Sequence, residues 1–299
     1  MCFNFILIHL KLTLFALLLL TSCAEDMSPK SDESSSEVTP FNRPDNLSLV
    51  WSDEFDQGSL LDSSKWTYDL GSPLIGNTVW GNNENQHYTN SSNNVYLSDG
   101  KLVIQARHET ISGASPGVFA SSARVKTEND NFFNSLNNSP YGFYEIKAKI
   151  PCIKGAWPAI WILGKEGDWP DRGELDIMEW YGRYSDEVTV TQVVHTKAYH
   201  GDVRNSPYGQ SGSQKIDQLC NDYNRFQLLW KETEIIFGVN DQITFTYTKK
   251  SSFTLNEWPF DQQGFLIINI AVGGNLGGPV NTQDISSMKM YVDYVRVYQ

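Results

Sequence analysis

Past residue 40 the chain is built from short runs in which apolar and polar residues alternate, the period of a half-buried strand. Leu102–Ala106, Tyr144–Ile150, Thr189–His195, Phe226–Trp230, Glu234–Val239, Gln242–Tyr247, Phe265–Ala271 and Met290–Tyr298 are rich in Val, Ile, Tyr, Phe and Trp. Turn-forming groups separate them, among them Ser98-Asp99-Gly100, Asn240-Asp241 and Gly273-Gly274-Asn275. No stretch sustains a helical period for three turns, and only Phe253–Glu257 predicts a short helix. Many short strands joined by polar turns predict an all-β, antiparallel β-sandwich or barrel, of which we adopt the sandwich. One sheet of such a sandwich often curves, and its concave face is a groove for an extended ligand.

The first 40 residues follow different rules. In residues 1–22, His9 and Lys11 precede the apolar run Leu12–Leu20, which suits a signal peptide and is too short for a good membrane span. Leu20-Thr21-Ser22-Cys23 resembles the lipobox of bacterial lipoproteins. That implies cleavage before Cys23, acylation of its thiol, and a place at the outer membrane or cell surface. The alternative is an ordinary signal peptide cut nearby. Residues 24–40 hold five acids, one Lys and no aromatic residue, so with Cys23 they read as a flexible acidic tether (23–40). Residues 41–299 suffice for one large domain, uninterrupted by any linker or repeat.

Composition then excludes several classes. The formal net charge is −12, which discourages nucleic acid and anionic lipid as partners and is compatible with a neutral polymer. Membrane contact is expected only through the lipid anchor, and the protein is expected to be a monomer. Of four cysteines, Cys2 leaves with the signal and Cys23 is lipidated. Cys152 and Cys220 remain, as a disulfide or as two thiols in an oxidising compartment. No CxxC or spaced His pair accompanies them, so zinc is not expected.

The chemistry concentrates in Glu174-Leu175-Asp176-Ile177-Met178-Glu179. Alternation on a strand puts Glu174 and Asp176 on one face, while Glu179 has the wrong parity. A β-bulge around Ile177 and Met178 would return it to the shared face. Three carboxyls that close cannot all ionise, so at least one pKa should rise. One ionised and one protonated carboxyl, about 5–5.5 Å apart, is what retaining glycoside hydrolysis uses. The other reading is a solvated acidic edge strand, but Leu, Ile, Met and Trp surround the acids. Sugar grooves set aromatic planes against pyranose faces. Trp157 and Trp161, four apart on one strand face, and Trp180, beside Glu179, are the candidate rings, whereas Trp230 is assigned to the core. His195 either hydrogen-bonds a carboxylate or is a structural histidine. Arg124 and the Asn82-Asn83-Glu84 loop are candidates for reading hydroxyls.

These motifs together resemble glycoside hydrolase family 16, most closely its laminarinase-like branch. The ordered series runs from LVWSDEF at 49–55 through NNENQHYT, DGKLVIQA, SSARVKT, YGFYEIKAKIP, GAWPAIWIL, GELDIMEW and FLIINIAVGGN to VDYVRVYQ at 292–299. The resemblance implies a jelly-roll (concanavalin A-like) fold and internal cleavage of β-1,3 or mixed β-1,3/1,4-glucan. By position, Glu174 would be the nucleophile and Glu179 the general acid/base, while Asp176 would orient the nucleophile and tune its charge. Trp157, Trp161, Arg124 and Asn82 would contact sugars on the non-reducing side, and His195 would line the groove. Catalysis would need no cofactor, and a structural calcium would sit at Glu54, Gly100 and Asp293. The alternatives are a galactan hydrolase of agarase or carrageenase type, and a lectin-like domain that binds glycans without cutting them.

Overall fold

The computed structural model describes residues 40–72, 82–112, 114, 116–184, 188–200 and 210–299. The expected signal peptide, Cys23 and most of the tether lie outside these residues. The alternating runs pair into two large antiparallel sheets. One has the spatial order Gln242–Thr248, Glu234–Val239, Asn224–Trp230, Gly142–Lys149, Lys289–Tyr298, Lys101–Gln105, Val95–Ser98, with Leu49–Asp53 added beside Lys289–Tyr298. The other runs Ser211–Lys215, Thr189–His195, Glu174–Glu179, Ala156–Gly164, Gly264–Val272, Arg124–Lys126, Thr67–Asp69. A small third sheet joins Gln86–Tyr88, Ala120–Ser122 and Arg107–His108.

The inward faces of the two large sheets supply one core. Ile146, Leu228, Phe237 and Val295 meet Ile160, Leu175, Ile268 and Ile270 in it. Trp230 is there too, its indole N–H donating to the Phe260 carbonyl at 3.0 Å, as the sequence predicted. Turn chemistry set the hairpins: Asp99 and Gly100 have φ of 53° and 68°, and Asn240 and Asp241 have 51° and 64°. Two successive positive φ values make the tight turn whose twist matches paired strands.

Three expectations meet the coordinates here. Cys152 and Cys220 form a disulfide with Cα atoms 5.5 Å apart. Phe253–Glu257 is not a helix. The Thr254 backbone N–H and hydroxyl both donate to Glu257 Oε2, and the segment stays a single turn. A helix forms instead at Asp130–Ser135, where Asn129 caps it by accepting from Phe132 N at 3.0 Å and Phe132 and Phe133 face the core. The proposed calcium ligands are arranged otherwise. Glu54 accepts from Arg296 Nε and Nη2 at 2.9 and 2.8 Å, and Asp293 lies 2.8 Å from Lys147 Nζ. Calcium takes six to eight oxygens with little competing positive charge, so Glu54, Gly100 and Asp293 as placed do not fit it.

Candidate active site

The Glu174–Glu179 strand is irregular where the parity argument required. Opposite Thr189–His195, Asp176 pairs with Val193 and Glu179 with Thr191, leaving Ile177 and Met178 to face Gln192 alone. Opposite Ala156–Gly164 the register also slips by one, between Ile160 and Trp161. The bulge lets Leu175, Ile177 and Met178 join the core while Glu179 returns to the side of Glu174 and Asp176. His195 stands directly across from Glu174, its Nε2 3.3 Å from Asp176 Oδ2 and 3.8 Å from Glu174 Oε1. It therefore belongs to the acid cluster.

The three acids are electrically crowded. Asp176 is held well above the ordinary carboxylate range, first by burial and then by the charge of Glu174 and a hydrogen bond with it. Glu179 is pushed up to about 8 by burial and by Asp176, against the opposing pull of Tyr181, Trp157 and His195. Trp157 Nε1 donates to Glu179 Oε1 at 2.8 Å, and the Tyr181 hydroxyl donates to Oε2 at 2.7 Å. Glu179 is thus a fixed carboxyl that keeps a proton at neutral pH. Trp169 Nε1 donates to Glu174 Oε2 at 2.9 Å.

To one side of the acids lies a polar wall. Trp161 Nε1 donates to Asn269 Oδ1 at 2.8 Å, and Asn269 Nδ2 to the Tyr88 hydroxyl at 3.1 Å. The Arg124 guanidinium stacks 4.6 Å over Trp161, with its Nε 2.8 Å from Asp69. Glu84 feels Arg124 and accepts from Gln86 at 2.5 Å and from the Asn82 side chain. Burial nonetheless pushes it up to about 7. Asn82 itself is in an exposed turn, with its carbonyl accepting from Asn275 N at 2.8 Å.

One candidate ring is misplaced. Trp180 is 2 % exposed and packs in the core. Once the bulge turns Glu179 outward, the next residue must point inward. The residue sharing a face with Glu179 is Tyr181, two positions on, and the i, i+2 rule would have found it. Asn269 also carried a signal, as the lone polar residue in an otherwise apolar strand. Trp169 sits in a loop, where no periodicity says which way a side chain faces.

A sequence model of glycosyl hydrolases family 16 matches residues 82–296. The chain belongs to that family. It is 35% identical to the beta-glucanase of Rhodothermus marinus over 97% of this chain and 95% of that protein. The laminarinase of Flavobacterium sp. UMI-01 superposes with a TM-score of 0.72 at 33% identity, covering 84% of this chain and all of that one. A keratan-sulfate endo-1,4-beta-galactosidase of Sphingobacterium multivorum is more distant, 29% identical over 84% of this chain and 55% of its own length. The family 16 sandwich and its jelly-roll topology agree with the fold described above.

Proposed function

We propose that this family 16 enzyme is an endo-acting β-glucan hydrolase cleaving β-1,3 or mixed β-1,3/1,4 bonds with net retention. The β-glucanase and laminarinase relatives support the substrate class over a galactan. The observation that carries the chemistry is the bulge, which sets Glu179 on the face of Glu174 beside a buried Asp176. In the first step a Glu174 oxygen attacks the anomeric carbon, and Glu179 gives its proton to the departing glycosidic oxygen. Water then attacks the same carbon, Glu179 takes its proton, and the Glu174 ester bond breaks. Asp176, protonated, holds Glu174 in place, and His195 sits at both carboxyls. Trp161, Arg124, Asn269, Asn82 and Glu84 contact the non-reducing side of the polymer. No step calls for a metal or cofactor. A lectin-like role would need neither of the glutamates at the bulge.

Laminarin, barley β-glucan and agarose, each assayed for new reducing ends, test class and substrate together. Release from the two glucans and none from agarose is expected, and the reverse would overturn the reading. Glu174→Gln should remove turnover while the near-ultraviolet circular dichroism stays unchanged. For location, we propose a lipid anchor at Cys23. Cys23→Ala should shift the protein from the membrane fraction to the soluble one.

A further inference from the structure

We propose that Trp169 is a positioning residue for the nucleophile, its indole N–H holding the Glu174 oxygen to which negative charge returns when the glycosyl-enzyme is hydrolysed. This rests on Glu174 being the nucleophile, as proposed above. The two oxygens of Glu174 have different surroundings. Oε1 faces His195, with Nε2 3.8 Å away, whereas Oε2 accepts from Trp169 Nε1 at 2.9 Å. Trp169 is 51 % exposed, so its N–H could have turned to water and instead points at the carboxylate. The ring is braced from the side, 6.2 Å from His195 and 5.9 Å from His200 between centroids.

The loop carrying Trp169 is pinned to its hairpin. Arg172 N donates to the Asp168 carbonyl at 2.9 Å, and Arg172 Nη2 to the Lys165 carbonyl at 2.6 Å. Gln262 Nε2 holds the Arg172 carbonyl at 3.1 Å. At Gly164 a Cβ would come within 1.9 Å of the Arg172 carbonyl oxygen, so only glycine lets the loop lie this close. Lys197 ties Asp171 to the segment after His195 at 2.7 Å. The indole is thus presented by a fixed support, as a preorganised donor must be.

The reaction uses this donor unevenly. In the first step Glu174 donates an electron pair to the anomeric carbon and loses its charge, so the N–H bond to it weakens. In the second, water attacks, its proton passes to Glu179, the C–O bond to Glu174 breaks and the electron pair returns to the carboxylate. A hydrogen bond to a charged group is about twice as strong as to a neutral one. Trp169 therefore assists the step in which Glu174 is the leaving group.

The test replaces the N–H and keeps the ring: benzothienylalanine at 169, which substitutes sulfur for N–H, alongside Trp169→Phe. The substrate is a dinitrophenyl β-laminaribioside, whose first step needs no acid. The expected result is a fall in kcat of about tenfold, a burst of dinitrophenol equal to the enzyme present, and kcat/KM kept near the parent value. A ring that serves only as a sugar platform would lower kcat/KM and give no burst, and that outcome overturns the proposal. So does a benzothienylalanine variant with parent kinetics. If Trp169→Phe fails to fold, the near-isosteric variant decides. Parent protein that leaves both laminarin and the aryl glycoside intact would sink the reading of the site and the role of Trp169 with it, whereas an active parent whose variants show no burst would sink the role of Trp169 alone.

Discussion

The acids of the bulged strand and those along the eight-stranded sheet are treated in different ways. Along the eight-stranded sheet and its flanking turns, three acids are answered by a cation and a fourth by neutral donors. Glu54 is forked by Arg296, Asp293 pairs with Lys147, Asp241 pairs with Arg225, and Glu145 accepts from Tyr294 and Gln227 at 2.8 Å each. On the seven-stranded sheet Glu174, Asp176 and Glu179 are set beside one another, and indole, phenol and imidazole groups answer them instead of a lysine or arginine. Both regions use the same residue types. Compensated acids hold strands together, whereas uncompensated ones hold protons that chemistry can use.

The sharpest way to break the contrast is to neutralise the uncompensated acids. Glu174→Gln should cost on the order of 10⁴-fold or more in kcat, because no nucleophile is left. Glu179→Gln should cost about a thousandfold on laminarin and far less on an aryl glycoside whose leaving group needs no proton. A loss of equal size on both substrates would mean that Glu179 is not the acid.

The same carboxyl sets a pH limit. Glu179 must carry its proton in the first step, so kcat/KM should fall as pH rises through about 8. A basic limb several units higher would assign the proton to another group.

Glu179→Gln should move stability the opposite way to activity. The folded state holds Glu179 neutral, with its pKa raised from 4.5 to about 8. Its contribution is therefore intact below 4.5, erodes as pH rises between the two values, and is lost above about 8, where folding buries a charge. Glu179→Gln removes that penalty. Urea unfolding at pH 9 should show the variant more stable by a few kcal/mol, roughly, and the gap should close near pH 4. A variant no more stable at pH 9 would show that the site carries little strain.

How much of this was legible in the residues follows from which rule governs each one. The odd spacing of Glu179 implied an extra residue in the strand, because alternation has a period of two and leaves no other way to bring it round. The same rule, followed one residue further, places Trp180 in the core and Tyr181 in the site. Pairings across strands were not legible. Arg296 reaches Glu54, and Lys147 reaches Asp293, through registers that only the folded sheet defines, so nothing in the sequence spoke against the calcium site that the family resemblance implied. Trp169 stayed hidden for a related reason, since a loop has no period. The Asp130–Ser135 helix is too short to display one.

The smallest expected effect tests the compensated region. The Glu54 and Arg296 side chains are 41% and 33% exposed, and those of Asp293 and Lys147 are 29% and 36% exposed. Water and salt screen such pairs, so Glu54→Gln and Asp293→Asn should each cost about 1 kcal/mol or less in urea unfolding, and less still at high salt. Neither should change kcat or the basic limb, because both lie on the sheet away from the acids of the bulge. Calcium gives the comparison its edge. With the carboxylates already answered by Arg296 and Lys147, added calcium should leave the melting temperature of the parent unchanged. A calcium-dependent rise that Asp293→Asn removes would show that these acids give up their cations to a metal, and that the two regions differ less than their hydrogen bonds imply.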